Sequence, residues 1–158
     1  MNKKNLMVHN EDLSEIYNMG FFMERTLNTV TKTLNSMLKK RRINLQCSQF
    51  IVLKYLYKIE GVSQSKLAKL LDKDPAAINR TTNYLEQKGY LTKKLIDRKT
   101  IGIYLTSKAM EIKDEICLIS DELNELTFKG ITEKQKKNGL TFIDRVYSNC
   151  VDYNTKEK

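Results

Sequence analysis

Asn79, Arg80 and Asn83 lie in the run DPAAINRTTNYLEQKG. On a helix, Asn79 and Asn83 fall on one face and Arg80 borders it. Amides and a guanidinium suit the edges of nucleic-acid bases: Asn can pair with adenine, and Arg can pair with guanine or hold a phosphate. Ala76 and Ala77, just before them, are small enough for close approach and for contact with a thymine methyl. Upstream, Ser63, Gln64 and Ser65 open a second helical run, where hydroxyls and backbone N–H groups can bind phosphate. Downstream, Asp97-Arg98-Lys99-Thr100 forms a polar tip between two apolar stretches. Its basic pair, Arg98 and Lys99, suits a minor groove, where the narrow cleft concentrates negative potential. The ordinary alternatives are a solvated helix face for the first set and a plain charged turn for the last, with Asp97 as a turn residue.

Other chemistries find little support. The single histidine, His9, sits in a polar arm without metal-ligand companions, and no Ser/His/Asp, HExxH or phosphate-loop arrangement is present. The sequence therefore implies no enzyme, no metal and no cofactor. Cys47, Cys117 and Cys150 are odd in number and widely spaced, which reads as reduced thiols. Cys117 and Cys150 fall beside apolar helix stripes and are expected as small core residues. Cys47 precedes a helix and leaves a redox-responsive regulator open.

The elements that must position these residues follow from periodicity and capping. Residues 11–41 predict one long helix, about 45 Å, with Ile16, Met19, Met23, Leu27, Val30, Leu34 and Met37/Leu38 on one stripe. Its length suits pairing with another helix. Arg25 on the same helix could meet an anionic ligand. Residues 48–60 predict a buried helix closed by Gly61. Ser63 caps a helix to Leu71, with Leu67, Ala68, Leu70 and Leu71 inward. Asp74 caps the next, Pro75 takes its first position, and Gly89 closes it. Its inward stripe is Ile78, Thr81/Thr82 and Leu85.

A hairpin pairs 91–96 with 101–105. Thr106 then caps a helix striped by Ala109, Ile112, Ile116, Ile119, Leu123 and Leu126. Thr132 and Gln135 form a capping box for a last helix, with Leu140, Ile143, Val146/Tyr147 and Cys150 inward.

Charge agrees with this layout. The 158 residues carry a net +9. Residues 1–45 hold +4, residues 46–106 hold +6, and residues 107–158 hold −1. The excess sits on the paired short helices and hairpin, which suggests an anionic partner. No apolar run reaches the ~18 residues of a membrane span, and the N-terminus lacks a cleavable signal, so a cytoplasmic protein is expected. Peripheral membrane binding through Lys39-Lys40-Arg41-Arg42 is a weaker alternative.

Two short helices joined by a tight turn, with a buried helix before and a hairpin after, make a winged helix-turn-helix pattern. Residues 48–109 resemble the MarR family of bacterial transcriptional regulators: SQSKLAKLL before the second helix, LEQKGYL after it, and DRKTIGIYLTSKA across the hairpin. The implied fold is mainly α with a small β-hairpin wing. It places an N-terminal arm and dimerisation helix at 1–45, the DNA-binding domain at 46–106 and C-terminal dimerisation helices at 107–158. The resemblance implies a homodimer on a near-palindromic operator in double-stranded DNA, typically a repressor. It also implies Asp97 bracing the wing while Arg98 or Lys99 enters the minor groove. Family members often bind small aromatic or phenolic ligands, so a small aromatic or anionic effector is a further expectation. A winged helix serving as a protein-interaction module is the rival reading.

Overall fold

The computed structural model describes residues 19–97 and 100–156. Residues 11–18 of the expected first helix, His9 and the Arg98-Lys99 pair lie outside the described residues. The chain separates into two compact units, one reaching to Ser120 and the other starting at Asp121.

In the first unit, α1 (Met19–Lys40) ends in Lys39 and Lys40, where cations meet the negative end of the helix dipole. Of its expected stripe only Leu34 and Leu38 are buried, while Met19 and Leu27 are exposed. Helix α2 (Cys47–Leu56) buries Phe50, Val52, Leu53 and Leu56. The Gln46 N–H donates to Gln49 Oε1 at its start. Gly61 was expected to close this helix, but α2 stops at Leu56 and Tyr57 caps it in ordinary helical geometry. Gly61 instead turns the chain into a strand. Its φ is +67°, its N–H donates to the Ile103 carbonyl at 3.1 Å, and an added Cβ would lie 3.0 Å from the Tyr104 hydroxyl.

That strand, β1 (Val62–Ser63), leads directly into α3 (Gln64–Leu70). The Ser63 hydroxyl accepts from the Lys66 N–H, as the sequence predicts of a cap. Leu67 and Ala68 are buried, but Leu70, expected inward, is exposed. A seven-residue helix is too short to bury more than one face. Next comes α4 (Pro75–Gln87). Asp74 Oδ1 accepts from the Ala77 N–H at 3.0 Å and Pro75 occupies the first turn. Gly89, at φ +77°, ends it. Its N–H reaches the Glu86 carbonyl and that of Tyr90 reaches Leu85, two bonds that satisfy the last free carbonyls.

Ile78, Thr82 and Leu85 form the buried stripe of α4. Thr82 is its only hydroxyl and is fully buried. It accepts from Gln64 Nε2 at 2.8 Å and donates to the Asn79 carbonyl at 3.1 Å. One side chain thus ties the start of α3 to the middle of α4.

Strands β2 (Leu91–Leu95) and β3 (Ile101–Leu105) make the predicted hairpin, and β1 adds to its other side, giving an antiparallel sheet of order β1-β3-β2. Leu91 pairs with Leu105 and Leu95 with Ile101, while Val62 lies opposite Ile103. The apolar alternation buries residues only at the base. Leu91 and Ile103 are covered, but Leu95, Ile96 and Ile101 beyond them are exposed.

The helix expected after Thr106 is divided into α5 (Ser107–Glu111) and α6 (Lys113–Thr127). The Ala109 carbonyl, which the Lys113 N–H would use in an unbroken helix, instead accepts the Tyr57 hydroxyl at 2.7 Å. The break falls at Ile112. Cys117 is half-buried, with Lys54 Nζ 3.9 Å from its sulfur, and Cys47 is half-buried beside Thr31.

In the second unit, Thr132 and Gln135 form the predicted capping box: the Thr132 N–H donates to Gln135 Oε1 and the Gln135 N–H to the Thr132 hydroxyl. They start α7 (Glu133–Lys156), which has no buried residue. Leu140, Ile143 and Tyr147, expected inward, are each about half exposed, and Cys150 is exposed as well. Their stripe has the right spacing, but no layer of the unit covers it. No helix among the described residues is long and apolar enough to cross a membrane.

Two stability measurements follow. Thr82→Val strands the Gln64 amide and costs about 1–3 kcal/mol in chemical denaturation; a loss under 0.3 kcal/mol would contradict the tie. Burial, then the neighbouring Cys117 and Tyr90, pushes the Tyr57 hydroxyl from 10.0 up to about 12. Its folded value is raised, so the neutral phenol's contribution is complete below pH 10 and fades as pH climbs toward 12. Tyr57→Phe is expected to be less stable at pH 8 and to lose less stability over that window.

Candidate nucleic-acid interface

The exposed side of α4 is built by its buried side. With Ile78, Thr82 and Leu85 facing the core, the 3.6-residue repeat turns Ala76, Asn79, Arg80 and Asn83 outward, and all four are exposed. Ala77 is half-covered; its N–H donates to Asp74 Oδ1 and its carbonyl accepts the Thr81 hydroxyl. Arg80 has no hydrogen bond or ion pair among the described residues. Its guanidinium is therefore available to a ligand.

The two asparagines are not independent. Asn83 Nδ2 donates to Asn79 Oδ1 at 2.7 Å. Lys93 of β2 donates to Asn83 Oδ1 at 2.5 Å and forms an ion pair with Glu86 at 2.8 Å. Sequence reasoning missed Lys93 and Glu86. The available signal was a charged residue at the middle of the Leu91, Lys93, Leu95 series, which required a partner on whatever β2 packs against.

The start of α3 lies beside this helix. Ser63 and Ser65 bring their hydroxyls 3.1 Å apart, and both side chains reach solvent. Gln64 is different: its amide N–H₂ bonds Thr82, so its first task is to hold the two helices together. Between residues 62 and 95 there are seven Lys or Arg and three Asp or Glu. Lys66, Lys69 and Lys73 are exposed. At the end of the hairpin, Asp97 Oδ1 accepts the Thr100 N–H at 2.9 Å.

On α1, Arg25 stacks over the Phe22 ring at 5.6 Å and lines a shallow hollow of about 290 Å³ with Phe21, Glu24, Asn28, Thr29 and Lys32. Among the described residues no group of three or more His, Cys, Asp or Glu could hold a metal ion.

Comparison with known proteins gives a consistent result. The MarR family model matches residues 45–98, the segment from the start of α2 through the hairpin tip. An HTH-type transcriptional regulator of Bacillus subtilis (strain 168), YybA, is 23% identical over 130 residues, covering 79% of this chain and 86% of the relative. In solved structures, the S. aureus MepR–DNA complex matches with a TM-score of 0.78 at 17% identity, over 85% of this chain and 98% of that one. BpsR of Bordetella bronchiseptica, whose DNA binding is regulated by 6-hydroxynicotinic acid, matches with a TM-score of 0.72 at 17% identity, over 82% of this chain and 93% of that one. These structural likenesses are of fold, while the family match falls on the helix pair and wing that carry the exposed site. Over its helix pair and hairpin the chain matches the MarR family model, and over most of its length it shares the fold of solved MarR-family regulators.

Proposed function

We propose that this chain is a transcriptional regulator of the MarR type, a homodimeric, cytoplasmic repressor that binds a near-palindromic operator in double-stranded DNA. The observation that carries this reading is the outward face of α4, where Asn79, Arg80 and Asn83 stand exposed beside small Ala76 and Ala77. In this reading α4 lies in the major groove and Arg80 pairs with guanine or a phosphate. Ser63 and Ser65 bond phosphates from the start of α3, and Gln64 supports them by fixing α3 to α4. Arg98 and Lys99 reach the minor groove from the wing, braced by the Asp97 turn.

Dimerisation is supported by α7. Leu140, Ile143, Tyr147 and Val151 recur at spacings of three and four and are all exposed. An apolar stripe on a 24-residue helix calls for another apolar helix, and a second copy supplies the same stripe. Relief by a small aromatic or anionic ligand fits the hollow beside Arg25 and the regulation of BpsR by 6-hydroxynicotinic acid. Such a ligand would favour a dimer whose two recognition helices no longer match major grooves ~34 Å apart.

Arg80→Ala and the double variant Arg98→Ala/Lys99→Ala are each expected to weaken binding to the DNA upstream of the protein's own gene by about tenfold, read by gel shift. Light scattering should show the dimer intact in both. The logarithm of affinity should fall steeply with that of salt, and the double variant should flatten the slope by about 1–2. A salt-independent affinity would favour the protein-interaction module instead. Ile143→Asp with Tyr147→Asp should yield monomers, and a dimer that survives both would remove α7 from the interface.

A further inference from the structure

We propose that Asn79 selects keto bases, guanine or thymine, because a hydrogen-bond relay begun by Lys93 fixes which end of its amide is left for DNA. The inference rests on α4 being the helix that enters the major groove.

The two ends of an asparagine amide are told apart by what they bond. Lys93 makes that distinction here, since an ammonium donates and never accepts. The Asn83 atom 2.5 Å from Lys93 Nζ is therefore Oδ1. The other end of Asn83 is then Nδ2, a donor, so the Asn79 atom 2.7 Å from it is Oδ1. What remains at the end of the relay is Asn79 Nδ2, with no bond to any described residue. Lys93 is itself held: its side chain is only 20% exposed and Glu86 pairs with it at 2.8 Å. The backbone of Asn79 is fixed too, because its carbonyl accepts the buried Thr82 hydroxyl. Lys93 acts as a positioning residue, setting the polarity of a side chain two bonds away without touching a base.

The polarity decides what can be read. In the major groove guanine offers N7 and O6 and thymine offers O4, all acceptors. Adenine and cytosine put an amino donor at the corresponding place. An outward Nδ2 can span N7 and O6 of guanine, but against adenine its second hydrogen meets the N6 amino group. Pairing with adenine, the simpler expectation from residue type, needs Asn79 Oδ1 to turn toward N6, whereas the relay holds that oxygen toward Asn83 and leaves Nδ2 foremost.

The test is selection from a random duplex pool by the full-length protein and its variants, with enriched bases counted at each position. Asn79→Ala identifies the position that Asn79 reads, by abolishing preference there. At that position the wild type should favour G or T over A or C by about tenfold. Lys93→Met frees the amide to turn, and the preference should fall to about twofold or less. Lys93→Arg keeps a donor and should retain it. Asn83→Asp presents an oxygen at both ends, which forces Asn79 to donate inward and face its own oxygen outward; the preference should invert to A or C.

A wild-type preference for A or C at the Asn79 position would overturn the proposal. So would an unchanged keto preference in both Lys93→Met and Asn83→Asp. If Asn79→Ala and Arg80→Ala both leave every base position unaltered, the placement of α4 in the groove fails, and the proposal fails with it.

Discussion

A hydroxyl taken wholly out of water must be satisfied by the protein, and Thr82 is the place where this constraint organises the molecule. Its acceptor side holds Gln64 and its donor side holds the Asn79 carbonyl. With apolar contacts alone, α3 and α4 could slide by a fraction of a turn at small cost. Hydrogen bonds are directional and do not permit that freedom. The register between the two helices is thus set by one polar group in an otherwise aliphatic seam of Leu67, Ile78 and Leu85. The exposed residues at the start of α3 and along α4 inherit their spacing from it.

Local signals were the legible ones. Ser63, Asp74 with Pro75, Thr106, and Thr132 with Gln135 all cap within three residues of themselves, so a short window of sequence contains the whole interaction. Gly89 ends α4 by the same local logic, and the alternation of 91–95 and 101–105 produced a true hairpin. The outward set on α4 followed from its inward set. What sequence did not reveal depends on partners far along the chain. The two-residue β1 exists because Ile103 and Gly102 lie beside it, and it is too short for any periodicity. Beside the break at Ile112, the Ala109 carbonyl accepts a hydroxyl 52 residues away in the chain, a contact that no local pattern announces. Gly61 looked like a helix end and proved to be a strand entrance, for the same reason.

The misjudged inward faces share a different cause. Periodicity shows that a helix has an apolar side, and it does not show whether this chain or another covers it. Leu27 on α1 and the Leu140, Ile143, Tyr147 series on α7 have the spacing of a core and the exposure of a surface. For the candidate site, residue types were readable while their couplings were not. Asn79 and Asn83 were legible as an exposed amide pair, but which atom each can offer is set by Lys93, which belongs to a strand.

Sheet order has a consequence for solubility. Because the order is β1-β3-β2, the outer side of β2 is an edge among the described residues, where no strand pairs with its backbone. Its far end is also apolar, with Leu95 73% exposed next to Ile96 and across from Ile101. Such an edge invites self-association, and Lys94, exposed on it, is a charge that opposes this. That protection is electrostatic and therefore of finite range, about 10 Å at 0.1 M salt and about 3 Å at 1 M. The same rise in ionic strength that strips a basic surface from nucleic acid also weakens the repulsion guarding this strand. Concentrated salt thus brings the protein closer to edge-to-edge aggregation.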